Sequence, residues 1–214
     1  PSLGLNDAFK AACRYWDRVT HPAQILQTLP AALATLLDPA DCGPAFIGLP
    51  QDLQGWAYDY PAAFFEQRVH RIRRQMPDAL EIADAAALLR SAKRPVIVAG
   101  GGVQYSGAVA ELTAFAENHN IPVVETIAGR ANMLATHPLN TGPLGVTGSD
   151  SANTIAGKAD VVLAVGTRFQ DFTTGSWTVF APDARLIGLN AGRHDAAKHQ
   201  SVTVVGDALL GLQK

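Results

Sequence analysis

The chain has 214 residues, 48% of them hydrophobic and 17% charged, with a formal net charge of −2. That composition describes a globular protein with a full-sized core, and the near-neutral charge without a basic run argues against nucleic acid as a partner. No apolar stretch is long enough to span a bilayer, and the N-terminus lacks the basic-then-apolar pattern of a secretory signal.

Residues 1–50 read as a strand, a helix and a strand. Cys13 to Val19 alternates in polarity and is rich in strand formers. Ala23 to Leu37 places Ile25, Leu26, Leu29, Leu33, Leu36 and Leu37 at helical spacing. Pro30 inside that pattern is expected to kink the helix or mark an early turn. Gly43-Pro44 introduces a second strand, Ala45 to Leu49, closed by Pro50. Such a unit is too small to bury both faces of its strands alone. Because the chain starts at Pro1 rather than Met, this region is expected to be either a processed start or the end of a domain that begins earlier. Cys13 and Cys42 are expected to be free, buried thiols.

Gln51 to Pro77 has little period. It carries Trp56, Tyr58, Tyr60, Phe64 and Phe65, then Arg68, Arg71, Arg73 and Arg74. It reads as an interdomain linker anchored by aromatics, its arginines forming either a solvated face or an anion site.

A second domain opens at Asp78, which can cap a helix running to about Ala92 with Leu80, Ile82, Ala83, Ala86, Ala87 and Leu89 inward. Pro95 to Ala99 is an apolar strand followed at once by Gly100, Gly101 and Gly102. A helix is expected from Ser106 to Asn118, then a strand over 121–126, a loop-rich stretch over 129–147, and a helix over 150–157. Strands follow at 161–165, 185–189 and 202–205, with a closing helix from Asp207. Apolar strands alternating with helices indicate an α/β fold: a doubly wound, parallel, six-stranded sheet, preceded by the partial αβ segment. Five of its strands can be located in the sequence.

In such sheets ligands bind beyond the carboxyl ends of the strands. Those ends carry the three glycines, Glu125-Thr126, Gly166-Thr167-Arg168, Asn190 and Gly206-Asp207. Glycines let the backbone turn sharply and approach a phosphate closely. Glu125 lies about 20 residues on, where a dinucleotide fold places its ribose acid. The spacing departs from G-x-G-x-x-G, because Tyr105 holds the third glycine position. The corner therefore reads either as a nucleotide groove or as a tight turn with nothing bound. The six histidines show no metal-ligand spacing, His194 and His199 are expected on the surface, and there is no nucleophile elbow or Walker-type loop. No catalytic residue and no metal ligand is assigned.

Three stretches together carry a resemblance. A-K-R-P-V-I-V-A-G-G-G-V from Ala92, A-D-V-V-L-A-V-G-T-R-F from Ala159 and G-L-N-A around Asn190 resemble the Rossmann-like central domain of thiamine-diphosphate-dependent enzymes. G-P-A-F-I-G-L-P-Q-D from Gly43 resembles the last strand of their pyrimidine-binding domain. Within that family, C-R-Y-W-D-R-V-T-H-P-A-Q from Cys13, L-P-Q-D-L-Q-G-W-A-Y-D-Y-P from Leu49 and G-T-R-F-Q-D-F-T-T-G-S from Gly166 are similar to the branch that opens trihydroxycyclohexanedione to a deoxyglucuronic acid in inositol catabolism.

The resemblance implies residues 1–50 as the tail of a pyrimidine-binding domain, 51–77 as linker and 78–214 as central domain. It implies a cytoplasmic, homo-oligomeric parent that uses thiamine diphosphate and Mg²⁺. The glutamate that activates the cofactor in this family lies ahead of the matched region. The metal motif, G-D-G followed by N-N, is not found, since Gly206-Asp207 precedes Ala208. The chain is thus expected to be an inactive fragment whose partners are the missing pyrimidine- and diphosphate-binding domains, with no nucleic acid and no membrane. Relatives that hold FAD place it at the same glycine corner, so Gly100, Gly101, Gly102, Gly166, Arg168 and Asn190 mark a vestigial or empty groove. FAD itself is not expected, because the ring-opening reaction is redox-neutral. Arg168 is expected to pair with Asp171 or to hold a phosphate.

Overall fold

The computed structural model describes residues 3–214. They divide into two compact units, one reaching to Arg73 and the other spanning Arg74–Lys214.

The first unit holds α1 (Leu3–Asp7), β1 (Tyr15–Arg18), α2 (Ile25–Leu36) and β2 (Ala45–Gly48). β1 and β2 pair in parallel, with Tyr15 opposite Ala45 and Arg18 opposite Gly48. α2 lies against one face of the pair, where the buried Thr28 hydroxyl donates to Asp17. On the other face Phe9 stacks on Phe46, with ring centroids 4.8 Å apart, and the Trp16 indole N–H donates to the Asn6 carbonyl at 2.8 Å. α2 continues through Pro30, which stands on its exposed side, so the expected early turn does not form. Cys13 and Cys42 are free thiols, but neither is buried as expected: Cys13 is half-buried, and Cys42 is exposed because it lies in the polar turn before β2. Over 51–73 the chain has only two short 3-10 turns. Its aromatics contact one another and His21 edge-on, and Tyr60 donates to the Pro22 carbonyl. Arg68, Arg71 and Arg73 are exposed.

The second unit runs α3 (Ala79–Ser91), β3 (Pro95–Ala99), α4 (Gly101–Tyr105), α5 (Val109–His119), β4 (Val123–Glu125), β5 (Asn140–Pro143), α6 (Asp150–Lys158), β6 (Val161–Val165), α7 (Asp171–Thr174), β7 (Arg185–Asn190), α8 (Arg193–Ala196), β8 (Val202–Val205) and α9 (Ala208–Leu212). All six strands from β3 to β8 are parallel, in the order β5-β4-β3-β6-β7-β8.

The central strands β3 and β6 are short apolar runs buried on both faces. Along β3, Ile97 and Ala99 join a core under α3, α5 and α9, while Val96 and Val98 join a second core under α6 with Phe169 and Phe180. The two-residue strand period thus feeds two helical layers. Each fully buried Val or Ile contributes about 1.5–3 kcal/mol. α3 begins where Asp78 accepts the Leu80 N–H, as its capping chemistry requires. Leu80, Ala83 and Ala87, expected inward, are instead exposed, Leu80 to 77%, and the buried stripe is Ile82, Ala85, Leu88 and Leu89.

The sixth strand is β5, in the stretch expected to be loop. Its sequence N-T-G-P carries no apolar run and ends in a proline, which an edge strand tolerates. The helix expected from Ser106 starts later, as α5 at Val109, and a separate short helix, α4, precedes it. α4 starts directly at Gly101, and the break falls at Gly107, whose φ is +67°.

Candidate functional site at the strand-order switch

From β3 the chain builds outward through β4 and β5, then returns to β6 on the other side of β3. The carboxyl ends of β3 and β6 therefore flank the switch point, where open α/β sheets bind ligands. Gly100 follows β3 and Gly166 follows β6.

These glycines hold two backbones against each other. The Gly100 N–H donates to the Val165 carbonyl at 2.8 Å and the Gly102 N–H to the Gly166 carbonyl at 2.9 Å. A Cβ on Gly100 would stand 2.3 Å from the Gly166 carbonyl oxygen, and one on Gly102 2.6 Å from the Gly166 Cα. Gly166 itself has φ +59°. Gly101 is less confined, its nearest neighbour being the Ala128 carbonyl at 3.1 Å. The N–H of Gly102, at the mouth of α4, is thus engaged by β6 rather than free for a phosphate.

The residues around the corner are engaged in the same way. Glu125 is buried; its Oε1 accepts the Met133 N–H at 3.0 Å and its Oε2 lies 4.0 Å from the Arg130 guanidinium. The Thr126 hydroxyl accepts the Gly129 N–H at 3.0 Å. Asn190 donates through Nδ2 to the Thr167 carbonyl at 3.0 Å and accepts the Gly192 N–H at 2.9 Å, so its amide ties the turns after β6 and β7 together. Sequence reasoning did not single out Asn132. It is fully buried, donates Nδ2 to the Gly100 carbonyl at 2.8 Å, and leaves its Oδ1 without a partner among the described residues. Nothing in its local sequence marks it, because its partner lies 32 positions away.

Arg168 is exposed and does not pair with Asp171. The Asp171 carboxylate accepts the Ser176 hydroxyl at 2.9 Å instead, and Lys198, paired with Asp195 at 2.7 Å, donates to the Arg168 carbonyl. This rim concentrates backbone strain: Phe169, Ser176, Trp177, His199 and Gln200 all have positive φ. The His199 ring lies on the Trp177 indole. Burial against it, and then the charge of Lys198, lower the His199 pKa below its usual 6.5. His194 and His199 are both exposed.

The described residues do not offer donors that fit Mg²⁺ and a diphosphate. Asp207, the acid of the Gly-Asp pair, accepts the Leu209 and Leu210 N–H groups as the cap of α9 and binds Arg74 through both oxygens at 3.0 Å. Its carboxylate is consumed by the fold. Among the described residues no group of three or more His, Cys, Asp or Glu could hold a metal ion. A cleft of about 510 Å³ lies at the opposite end of the sheet, between α3 and the amino ends of β7 and β8, lined by Glu81, Asp84, Arg185 and Thr203 among others. No helix among the described residues is long and apolar enough to cross a membrane.

Comparison with known proteins is consistent with this architecture. The family model for the central domain of thiamine pyrophosphate enzymes matches residues 82–214. The 3D-(3,5/4)-trihydroxycyclohexane-1,2-dione hydrolase of Geobacillus thermodenitrificans is 48% identical over 99% of this chain, which covers 33% of that protein. The hydrolase of the same name from Clostridium perfringens is 45% identical over the whole chain, which covers 34% of it. The chain thus spans about a third of the length of these relatives. A solved structure from Mycobacterium smegmatis, described as a thiamin diphosphate-dependent enzyme, superposes with a TM-score of 0.77 at 25% identity, covering 98% of this chain and 40% of that one. The chain belongs to the thiamine pyrophosphate enzyme family, whose central domain it contains.

Proposed function

We propose that this chain is the scaffold portion of a longer thiamine-diphosphate-dependent hydrolase that cleaves a C–C bond of trihydroxycyclohexane-1,2-dione to give 5-deoxyglucuronate in inositol catabolism. The observation that carries it is the 48% identity over 99% of the chain to a hydrolase of that name. Residues 1–50 are assigned as the tail of the pyrimidine-binding domain, 51–77 as linker and 78–214 as central domain. The parent is a cytoplasmic homo-oligomer that uses Mg²⁺.

When bound, thiamine diphosphate supplies a thiazolium carbanion that attacks a substrate carbonyl. This chain's residues contribute no step of that reaction: Asp207 is held by Arg74 and the α9 cap, and Glu125 by Met133. Their part is to build a domain in which the parallel sheet lies between two helical layers. The crevice at Gly100, Gly101, Gly102, Gly166, Arg168 and Asn190 is assigned as an empty, vestigial groove without FAD. In support, the Gly102 N–H and the Asn190 amide are already hydrogen-bonded within the fold. Calorimetric titration with thiamine diphosphate and Mg²⁺ tests the assignment: the full-length gene product is expected to bind and the 214-residue chain to give no heat. Binding by the short chain would refute it.

A further inference from the structure

The segments that lead into β1 and β2 run side by side before their ladder begins. The Pro44 carbonyl accepts from both the Arg14 N–H at 2.8 Å and the Tyr15 N–H at 3.4 Å. One carbonyl serving two successive donors shifts the facing residues by a position. Tyr15 stands opposite Ala45, but Arg14 lies against Gly43. A Cβ on Gly43 would run into the Arg14 Cγ and stand 3.2 Å from the Arg14 Cβ. Further along, the Arg14 guanidinium pairs with Asp41 at 3.0 Å. The Arg14 side chain therefore follows one face of the incoming segment, from residue 43 to residue 41.

Cys13 and Cys42 each stand one position ahead of this facing pair. Cys13 is extended, with φ −113° and ψ 148°. Successive side chains of an extended chain point to opposite faces, so Cys13 turns away from the Arg14 face. Cys42 lies between the two residues that the Arg14 side chain reaches, so its own side chain turns away from that face as well. Both thiols are left on the same side of neighbouring segments. Such segments run about 4.8 Å apart, inside the roughly 4.4–6.8 Å between Cα atoms that a disulfide bridges. Cys42 is exposed and Cys13 half-buried, and both are free. Among the described residues no third His, Cys, Asp or Glu completes a metal-binding group with them.

We propose that Cys13 and Cys42 are a thiol pair that a low-molecular-weight disulfide closes into an internal disulfide, clasping the first unit at the mouth of the β1–β2 pair. The thiolate of Cys42, the more accessible residue, attacks the small disulfide, a mixed disulfide forms and one small thiolate leaves. The Cys13 thiolate then attacks the Cys42 sulfur, the internal S–S bond forms and the second small thiolate leaves. The protons given up by the two cysteines end on the two small thiols; the protein dithiol is oxidised by two electrons and the small disulfide is reduced. Excess small thiol reverses the sequence. The bond closes a loop that contains β1 and α2 whole, and so restrains the unfolded first unit. The pair belongs to this chain's own residues and does not depend on the assignment to a longer enzyme.

Equilibration with mixtures of reduced and oxidised glutathione, quenched by alkylation and read by mass and peptide mapping, tests this on the 214-residue chain and on the full-length gene product. A linked Cys13–Cys42 peptide is expected in both. Its equilibrium constant should be at least about 10-fold greater in buffer than in denaturing urea, where nothing holds the two segments together. Cys13→Ser and Cys42→Ser should each stop at a single glutathione adduct on the remaining cysteine of the pair. Separate glutathione adducts on Cys13 and Cys42 in place of the link, disulfide-linked dimers in its place, or an equal constant with and without urea would overturn the proposal.

Discussion

Gly100 and Gly166 meet backbone to backbone at the switch point of the sheet, where a methyl on Gly100 would lie 2.3 Å from the Gly166 carbonyl oxygen. The contact explains why glycines stand at both strand ends without invoking a ligand. Gly100→Ala and Gly166→Ala should each destabilise the second unit by about 1–3 kcal/mol or more through overpacking. Gly166 adds the strain of a left-handed φ. Gly101→Ala, in the same triplet but helical and less crowded, should change stability by less than about 1 kcal/mol. Denaturant midpoints compare the three. Equal effects at Gly100 and Gly101 would contradict the close-packing account.

Asp207 does two jobs that can be separated. Asp207→Ala removes the α9 cap and should cost about 0.5–2 kcal/mol. Arg74→Ala should cost less, at most about 1 kcal/mol, because Arg74 is 39% exposed and its pair is partly screened. Asp207→Asn keeps a capping oxygen and should fall between wild type and Asp207→Ala. A double-mutant cycle with Arg74→Ala isolates the pair.

Acid stability should depend on Asp160. Burial raises its pKa, but the N–H groups of Lys93 and Arg94, its own backbone N–H and the Arg94 charge outweigh this and hold the carboxyl below its ordinary 3.8. The folded state then binds fewer protons than the unfolded one. The stabilisation is complete above pH 3.8 and is lost as pH falls through the folded value. Asp160→Ala should cost about 1–3 kcal/mol at neutral pH through its two lost charged hydrogen bonds. Its acid unfolding should also show a shallower slope. An unchanged slope would contradict this role.

His199 provides a second pH signature. Its lowered pKa means that its contribution to stability is present above pH 6.5 and is lost as pH falls below it. Because the ring lies on Trp177, protonation should quench indole fluorescence with a midpoint below 6.5. The difference between wild type and His199→Gln reads this step against the background of Trp16 and Trp56.

The groove assignment has its own thermal test. FAD, NAD or ADP up to millimolar concentration should leave the melting temperature unchanged, whereas a ligand at about 100 times its Kd would add about 2.7 kcal/mol. A shift abolished by Asn190→Ala would contradict an empty groove.

Much of the fold was legible from residues alone. The apolar runs at 95–99, 161–165 and 202–205 are strands at those bounds, and Asp78 caps α3. Local chemistry dominates at such places. β5 was not legible, because an edge strand ending in a proline carries neither an apolar run nor alternation. The start of α4 at Gly101 was masked by glycine's usual preference for turns, which close packing against Gly166 overrides. The Arg168–Asp171 pair did not form because Ser176 satisfies Asp171. Arg74 and Asp207 lie 133 positions apart, and Asn132 and Gly100 32 apart, so no short-range spacing could have joined them.

The scaffold assignment is tested most directly by turnover of trihydroxycyclohexane-1,2-dione with thiamine diphosphate and Mg²⁺. The full-length gene product should form 5-deoxyglucuronate, and the 214-residue chain should form none above the uncatalysed rate. Product from the short chain alone, or none from the full-length protein, would contradict it.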